Sequence, residues 1–206
     1  MMTHLQVAGL DVSRETSEKL DSYVALIQKW NKAINLISRS SEADIWQRHI
    51  ADSAQLAQHL PSGPRLWLDL GSGAGLPGIV LAIIAAEVAP SLRFELVEVD
   101  QRKATFLRQV SRELGLNVTV LTERIEALTP RLADVVSARA LASLSDLCNF
   151  AERHLDADGI AVFLKGTGAE AEIEVARRKW SFNLESFPSK TSVDALVLKL
   201  KKIRHV

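Results

Sequence analysis

A single cysteine, Cys148, stands among 206 residues. One thiol forms no intrachain disulfide and cannot by itself build a thiolate zinc site, so Cys148 reads as a small apolar core residue. An excess of one charge is missing too. Twenty-five basic residues meet 25 acidic ones, leaving a formal net charge of zero. No global field then announces a polyanionic partner, and any nucleic-acid contact has to come from a local patch. Aromatic residues make up 5%, which argues against a broad platform for stacking single-stranded bases. The longest apolar run, Gly78 to Ala86, falls far short of the ~20 residues of a membrane span. The opening MMTHLQVAGL has no basic stretch followed by an apolar one, so no signal peptide is expected. The expected compartment is the reducing cytoplasm. No partner cluster of His or Cys surrounds His49, so no metal is expected.

What is present is an apolar content of 47% with 24% charged residues, enough for a folded core and against disorder. Leu20, Val24, Ile27 and Trp30 repeat at helical spacing. A second helix is predicted from about Glu42 to Leu60, with Ser41 as its N-cap and Ile45, Ile50, Ala54 and Leu56 on its apolar side. Pro61-Ser-Gly-Pro64 then breaks the chain. Beyond it strands and helices alternate. Strands are predicted at Arg65–Leu70, Arg93–Glu98, Val118–Leu121, Asp134–Ser137 and Gly159–Lys165, and helices at Ile79–Val88, Gln101–Leu114 and Ser143–His154. Such alternation predicts βαβ units and a parallel sheet covered on both faces. A charged helix, Glu170–Arg178, precedes two more strands, Trp180–Phe187 and Ala195–Lys202, whose short connection predicts an antiparallel pair. The expected architecture is α/β: a mostly parallel sheet with a terminal antiparallel hairpin. Residues 1–62 form a helical extension and 63–206 the main domain.

The chemistry concentrates in Asp69-Leu-Gly71-Ser-Gly73-Ala-Gly75-Leu-Pro-Gly78, between a predicted strand and a predicted helix. Missing side chains allow a tight turn and close approach of a ligand to the backbone, while the next helix offers unpaired N–H groups. Glu98 lies 20 positions past Gly78, at a strand end where a carboxylate can accept from both hydroxyls of a ribose. A nucleoside-containing cofactor is expected. A P-loop is excluded because no Lys followed by Ser or Thr closes the loop. A nicotinamide oxidoreductase is disfavoured because only 128 residues follow Gly78 and they end in a hairpin.

The pattern Asp-x-Gly-x-Gly-x-Gly, with an acidic second-strand end, resembles the S-adenosylmethionine methyltransferases. KWNKAINL, RHIADS, LDLGSGAGLPGIVLAI, LVEVDQRKATFLRQV and VVSARALASL, in that order within Val24 to Lys199, resemble the bacterial RsmG family. That family is also called glucose-inhibited division protein B. The departures, Ser72 where Thr is common and Ala74 where Pro is common, remove no glycine. The resemblance implies a Rossmann-like fold, S-adenosylmethionine as cofactor, and methylation of guanine N7 in 16S rRNA. Cofactor contacts are then expected from Gly71, Ser72, Gly73, Gly75, Leu76, Glu98, Ile125, Glu126 and Arg139. Leu76 would pack on the cofactor, Ile125 would cover the adenine, and Arg139 would meet the methionine carboxylate or the substrate base. The expected partner is 16S rRNA, naked or within the 30S subunit, with the enzyme a monomer.

Guanine N7 carries a lone pair and no proton, so its methylation calls for alignment rather than a general base. Adjacent O6 is the acceptor that a cation reads. Arg139 and Lys165, at two strand ends beside the loop, are the expected catalytic residues. Asn31, Asn35, Arg48, His49 and Asp52 either face the cleft or serve the helix surface; their spacing leaves both open. RNA contact is sought in Arg102, Lys103 and Arg108, or in Lys199, Lys201, Lys202, Arg204 and His205. The rival functions are methylation of another RNA, a protein or a small molecule on the same fold, nicotinamide-dependent redox chemistry, and RNA binding with a relic cofactor pocket.

Overall fold

Strand β1 (Leu66–Leu70) is buried at every position, as expected of a strand covered on both faces. It lies inside a seven-stranded sheet, order β3-β2-β1-β4-β5-β7-β6, in the computed structural model, which describes residues 9–63 and 65–206. The other strands are β2 (Arg93–Val97), β3 (Val118–Leu121), β4 (Ala133–Arg139), β5 (Leu155–Lys165), β6 (Trp180–Pro188) and β7 (Leu196–His205). The first five run parallel; β7 enters antiparallel between β5 and β6. The expected α/β architecture and terminal hairpin are both present. Residues 1–8 and Pro64, one end of the predicted Pro61–Pro64 break, lie outside the described residues.

Helices α4 (Gly78–Val88), α5 (Gln101–Glu113), α6 (Leu144–His154) and α7 (Ala169–Ala176) connect the strands. Sequence explains their ends. Ser143 caps α6 by accepting from the Asp146 N–H, and Asp100 caps α5 by accepting from the Arg102 and Lys103 N–H groups. Helix α4 is apolar on every side because it is sandwiched: Gly78 through Ala85 are all buried. One side meets the sheet, and the other meets α1 (Arg14–Asn31), whose Leu20, Val24 and Ile27 join the same core cluster. Each such side chain, fully buried, stabilises the fold by about 1.5–3 kcal/mol. Trp30 meets Phe106 of α5 edge-on at 5.7 Å. Thr16 Oγ1 donates to Glu87 Oε2 at the far end of α4. The N-terminal helices therefore share their core with the sheet.

The predicted second helix is not one regular helix. The chain forms a short α2 (Arg39–Glu42), a π-helical stretch Trp46–Ala51, a turn of α-helix, α3 (Asp52–Ala54), and a 3-10 turn Gln55–His59. Three hydrogen-bond periods in 14 residues defeat a single 3.6-residue reading. Wide turns of this kind recur at functional sites, and this one presents Arg48, His49 and Asp52 to the end of β4.

Candidate active site

The C-terminal ends of β1, β2, β4 and β5 share one edge of the sheet, where ligands of open α/β folds bind. Two cavities open there. The first, about 450 Å³, is lined by Gly71, Gly73, Val97, Glu98, Ile125, Glu126, Leu141 and Phe150 among others. The second, about 490 Å³, is lined by Asp44, Gln47, Arg48, Asp52, Arg139, Lys165, Glu172, Thr191 and neighbours. The segment from Arg139 to Ala142 separates them, with Arg139 and Ala140 on one side and Leu141 and Ala142 on the other.

The glycine loop is held by its surroundings. Asp69 is wholly buried; its Oδ1 accepts from Ser137 Oγ at 2.7 Å and its Oδ2 from the Gly78 N–H at 3.3 Å. Burial pushes its carboxyl up to about 6, against the pull of the donors and of Arg139. A raised folded value means that its contribution to stability is present at low pH and fades as pH rises through about 6. Gly78 has no room for a Cβ, which would run into Leu96 and Asp69. Tyr23 of α1 donates from its hydroxyl to the Ala74 carbonyl at 2.6 Å, tying the loop to the N-terminal helices. Burial raises the Tyr23 hydroxyl far above its ordinary value, so it stays a donor.

Of the residues expected at the cofactor, Gly71, Gly73, Glu98, Ile125 and Glu126 line the first cavity. Ser72, Gly75 and Leu76 do not. Ser72 is buried and donates to the Asp69 carbonyl; a Cβ on Gly75 would strike Ile79 and Leu107; Leu76 lies in the core shared with α1. These three support the loop from behind, because the loop turns them toward α4 and α5. Arg139 lines the second cavity instead of the first. Glu98 already accepts from the Gly73 N–H (Oε2) and the Asp100 N–H (Oε1), both at 2.8 Å, leaving a lone pair on each oxygen. Lys103, sought above as an RNA contact, lines this cavity instead, and Leu141 and Phe150 join the wall without any signal in the sequence marking them.

These residues fit a sulfonium nucleoside. At Gly73 a Cβ would meet no protein atom nearer than 3.9 Å, so the space over that backbone belongs to the cavity rather than to packing. Glu98 supplies acceptors, and Ile125 and Phe150 supply apolar surface for a flat base. His154, buried, sits behind this wall with Nε2 3.1 Å from the Ile125 carbonyl. Since a carbonyl only accepts, Nε2 carries the proton and donates.

In the second cavity Arg139 is clamped. Its Nη1 donates to the Arg48 carbonyl and to Asp52 Oδ2, each at 3.3 Å, and its Nη2 lies 3.1 Å from His49 Nδ1. Arginine cannot accept, so His49 Nδ1 does, and Nε2 donates to Ser41 Oγ at 2.8 Å. Burial, then Arg139 and Arg48, hold His49 down to about 4, which keeps it neutral. Three of five guanidinium N–H groups are thus engaged, and the other two have no partner among the described residues. Lys165 is 10% exposed in its side chain, donates to the Ala142 carbonyl at 2.9 Å and pairs with Glu172 at 2.7 Å. It braces the wall between the cavities and has one N–H left. Of the five N-terminal residues left open by the sequence, Arg48, His49 and Asp52 join this site. Asn31 instead closes a turn, accepting from the Leu36 and Ile37 N–H groups, and Asn35 lines a separate hollow with Asp100, Arg102 and Lys103.

The hairpin loop 189–195 was not foreseen as part of the site. Thr191 Oγ1 donates to Asp52 Oδ1 at 2.7 Å, while Gln55 bridges Asp52, Ser189 and the Lys190 N–H. Asp52 therefore holds Arg139 with one oxygen and the loop with the other. Thr191→Val is expected to lower kcat/KM about three- to fivefold with little change in melting temperature. Thr191→Ser, which keeps the hydroxyl, is expected to stay near the parent; steady-state kinetics on the pair tests the link. The C-terminal cations do not meet the cleft. Lys199 pairs with Glu185, and β7 carries Lys201 to His205 to the opposite edge, where His205 pairs in register with Trp180.

No group of three or more His, Cys, Asp or Glu able to hold a metal exists among the described residues, and no helix there is long and apolar enough to cross a membrane. The family described as rRNA small subunit methyltransferase G matches residues 16–198. A protein of Cereibacter sphaeroides named ribosomal RNA small subunit methyltransferase G is 60% identical over 206 residues, all of both chains. One of the same name from Ruegeria sp. is 49% identical over 197 residues, 96% of each. A solved SAM-dependent methyltransferase from Aquifex aeolicus shares the fold at 13% identity, with a TM-score of 0.59 over 86% of this chain and 97% of that one.

Proposed function

Because the chain belongs to the rRNA small subunit methyltransferase G family, we propose that it moves the methyl group of S-adenosylmethionine to N7 of one guanine in 16S rRNA. It does so in the cytoplasm, as a monomer, with residues 63–206 as the catalytic domain and residues 1–62 as a helical extension that shares its core. One observation carries this reading: a glycine-walled cavity with an acidic strand end shares the Arg139–Ala142 wall with a cleft rich in hydrogen-bonding side chains.

The cofactor would supply an electrophilic methyl on a sulfonium centre. Glu98 would hold the ribose hydroxyls with its spare lone pairs. Gly71 and Gly73 would admit the ligand to the backbone, and Ile125, Glu126 and Phe150 would enclose the adenine. Ser72, Gly75 and Leu76 would contribute by shaping the loop. On the other side of the wall, Arg139 would aim its free N–H groups at guanine O6. Donation to O6 leaves the N7 lone pair available, and it would orient the ring so that N7 faces the methyl group in line. N7 bears no proton, so no residue has to remove one. Proximity and alignment can supply on the order of 7–11 kcal/mol of such a reaction at best. Lys165 would act mainly by fixing Ala142, its third N–H facing the cleft.

Labelled S-adenosylmethionine incubated separately with 16S rRNA, with 30S subunits and with protein tests the reading. Label in RNA, with strand scission at a single N7-methylguanine, supports it. Label confined to protein, or to another position of the base, overturns it. S-adenosylhomocysteine is expected to raise the melting temperature and NAD to leave it unchanged.

A further inference from the structure

We propose that Asp44 reads the Watson–Crick edge of the target guanine and thereby sets the choice of base, an inference that rests on the guanine-methylating reading above. The cleft wall holds three carboxylates, Asp44, Asp52 and Glu172. Two are committed inside the protein. Asp52 uses both oxygens, on Arg139 and on Thr191. Glu172 Oε2 serves Lys165 and the Leu144 N–H. The Asp44 side chain is exposed and makes no hydrogen bond or ion pair among the described residues.

Its backbone is nonetheless held. The Asp44 N–H donates to the Ser41 carbonyl at 3.2 Å, and its carbonyl accepts from the Arg48 N–H at 3.0 Å. Arg48 follows four residues later on the same wall and does not pair with it. An anchored backbone carrying a carboxylate with no internal partner, beside the proposed methyl-transfer wall, is a recognition group rather than a brace.

Guanine supplies what that group lacks. Its N1–H and N2–H₂ donors lie side by side on the Watson–Crick edge, away from N7 and on the other side of O6 from it, and two parallel N–H groups match the two oxygens of a carboxylate. With Arg139 on O6, the base would be held from two edges while N7 stays free. Adenine reverses both contacts. It offers a lone pair at N1, facing the Asp44 carboxylate, and an amino group where O6 would be, facing the Arg139 donors. Selection then combines attraction to one base with repulsion of the other. A cleft built around paired donors rejects an analogue that lacks them, because its own polar groups are left unpaired.

The test uses the full chain and 30S subunits or 16S rRNA carrying either guanine or inosine at the methylated position. Inosine keeps N7, O6 and N1–H but lacks the N2 amino group. For the parent enzyme, inosine is expected to lower kcat/KM about tenfold, equivalent to ~1.4 kcal/mol. In Asp44→Ala, turnover of the guanine substrate is expected to fall about tenfold, and guanine and inosine are then methylated equally, within about twofold. Asp44→Asn, which keeps the size but offers a single acceptor oxygen, is expected to behave likewise. S-adenosylhomocysteine affinity and melting temperature should stay at parental values in both. Persistence of the parental preference for guanine over inosine in either variant overturns the role of Asp44 while leaving the methyltransferase reading intact. Failure of the parent enzyme to methylate N7 at all overturns that reading and this one together.

Discussion

Replacing Arg139 with Ala is expected to lower turnover about 100-fold, or ~2.7 kcal/mol, with the chain still folded. The magnitude follows from what the guanidinium does. It lies at the end of β4, engages Asp52, His49 and the Arg48 carbonyl, and has two N–H groups with no partner among the described residues. Lysine is not an adequate substitute. A single ammonium lacks the planar fork that spans three acceptors set by a helix of changing pitch. Arg139→Lys is therefore expected to recover only a small part of the loss. Rapid-quench measurement of a single turnover separates this from a change in product release. Parental rates in Arg139→Ala would remove Arg139 from the chemistry.

The same substitution has a titration signature. In the parent, His49 is held to about 4, below its ordinary 6.5, by burial first and then by Arg139 and Arg48. Between those values the unfolded chain binds the proton and the folded chain does not. The contribution of His49 to stability is therefore whole above about pH 6.5 and is lost as pH falls toward 4. Without Arg139 the second of these causes disappears, and the His49 titration observed by NMR should move up, though burial still holds it below 6.5.

The strands and helices of the sheet were legible because local and long-range demands coincide there. LWLDL and GIVLAII are buried throughout and, Asp69 apart, apolar because both are covered on all sides, and RFELV is followed directly by Glu98, the acidic residue that serves the loop. Irregularity was not legible. Residues 46–59 carry the apolar spacing of a helix, yet the backbone changes period twice, since clamping Arg139 requires His49 and Asp52 to converge with the Arg48 carbonyl. Within the glycine loop, pattern alone does not separate residues that face the cavity from those that face α4. Gly73 and Gly75 look alike in sequence, but the Cβ of one would enter open space and that of the other would strike Ile79. Thr191 and Asp44 carried no signal because each acts through a partner distant in sequence or absent from the chain. Lys165 illustrates the converse. A lysine at a strand end suggested catalysis, and the geometry gives its ammonium to Ala142 and Glu172.

Gly73→Ala is expected to raise the dissociation constant for S-adenosylhomocysteine at least about tenfold and to abolish most of the ligand-induced rise in melting temperature. Two effects act together. Gly73 has φ +57°, a left-handed conformation costing an alanine about 1–2 kcal/mol. The added methyl also occupies the space over the loop, where no protein atom lies within 3.9 Å. The first effect alone would lower stability of the free protein by a similar amount. The second is felt only when the ligand is present. Calorimetry on the free and ligand-bound protein separates them. Gly115→Ala is the control, since Gly115 is also left-handed at φ +62° with nothing within 4 Å and lies at the opposite end of α5 from the site. That variant should show the strain without the loss of affinity. Equal affinity in Gly73→Ala and the parent would mean that the ligand does not pass over this backbone, and the cavity between Gly71 and Glu98 would lose its assignment.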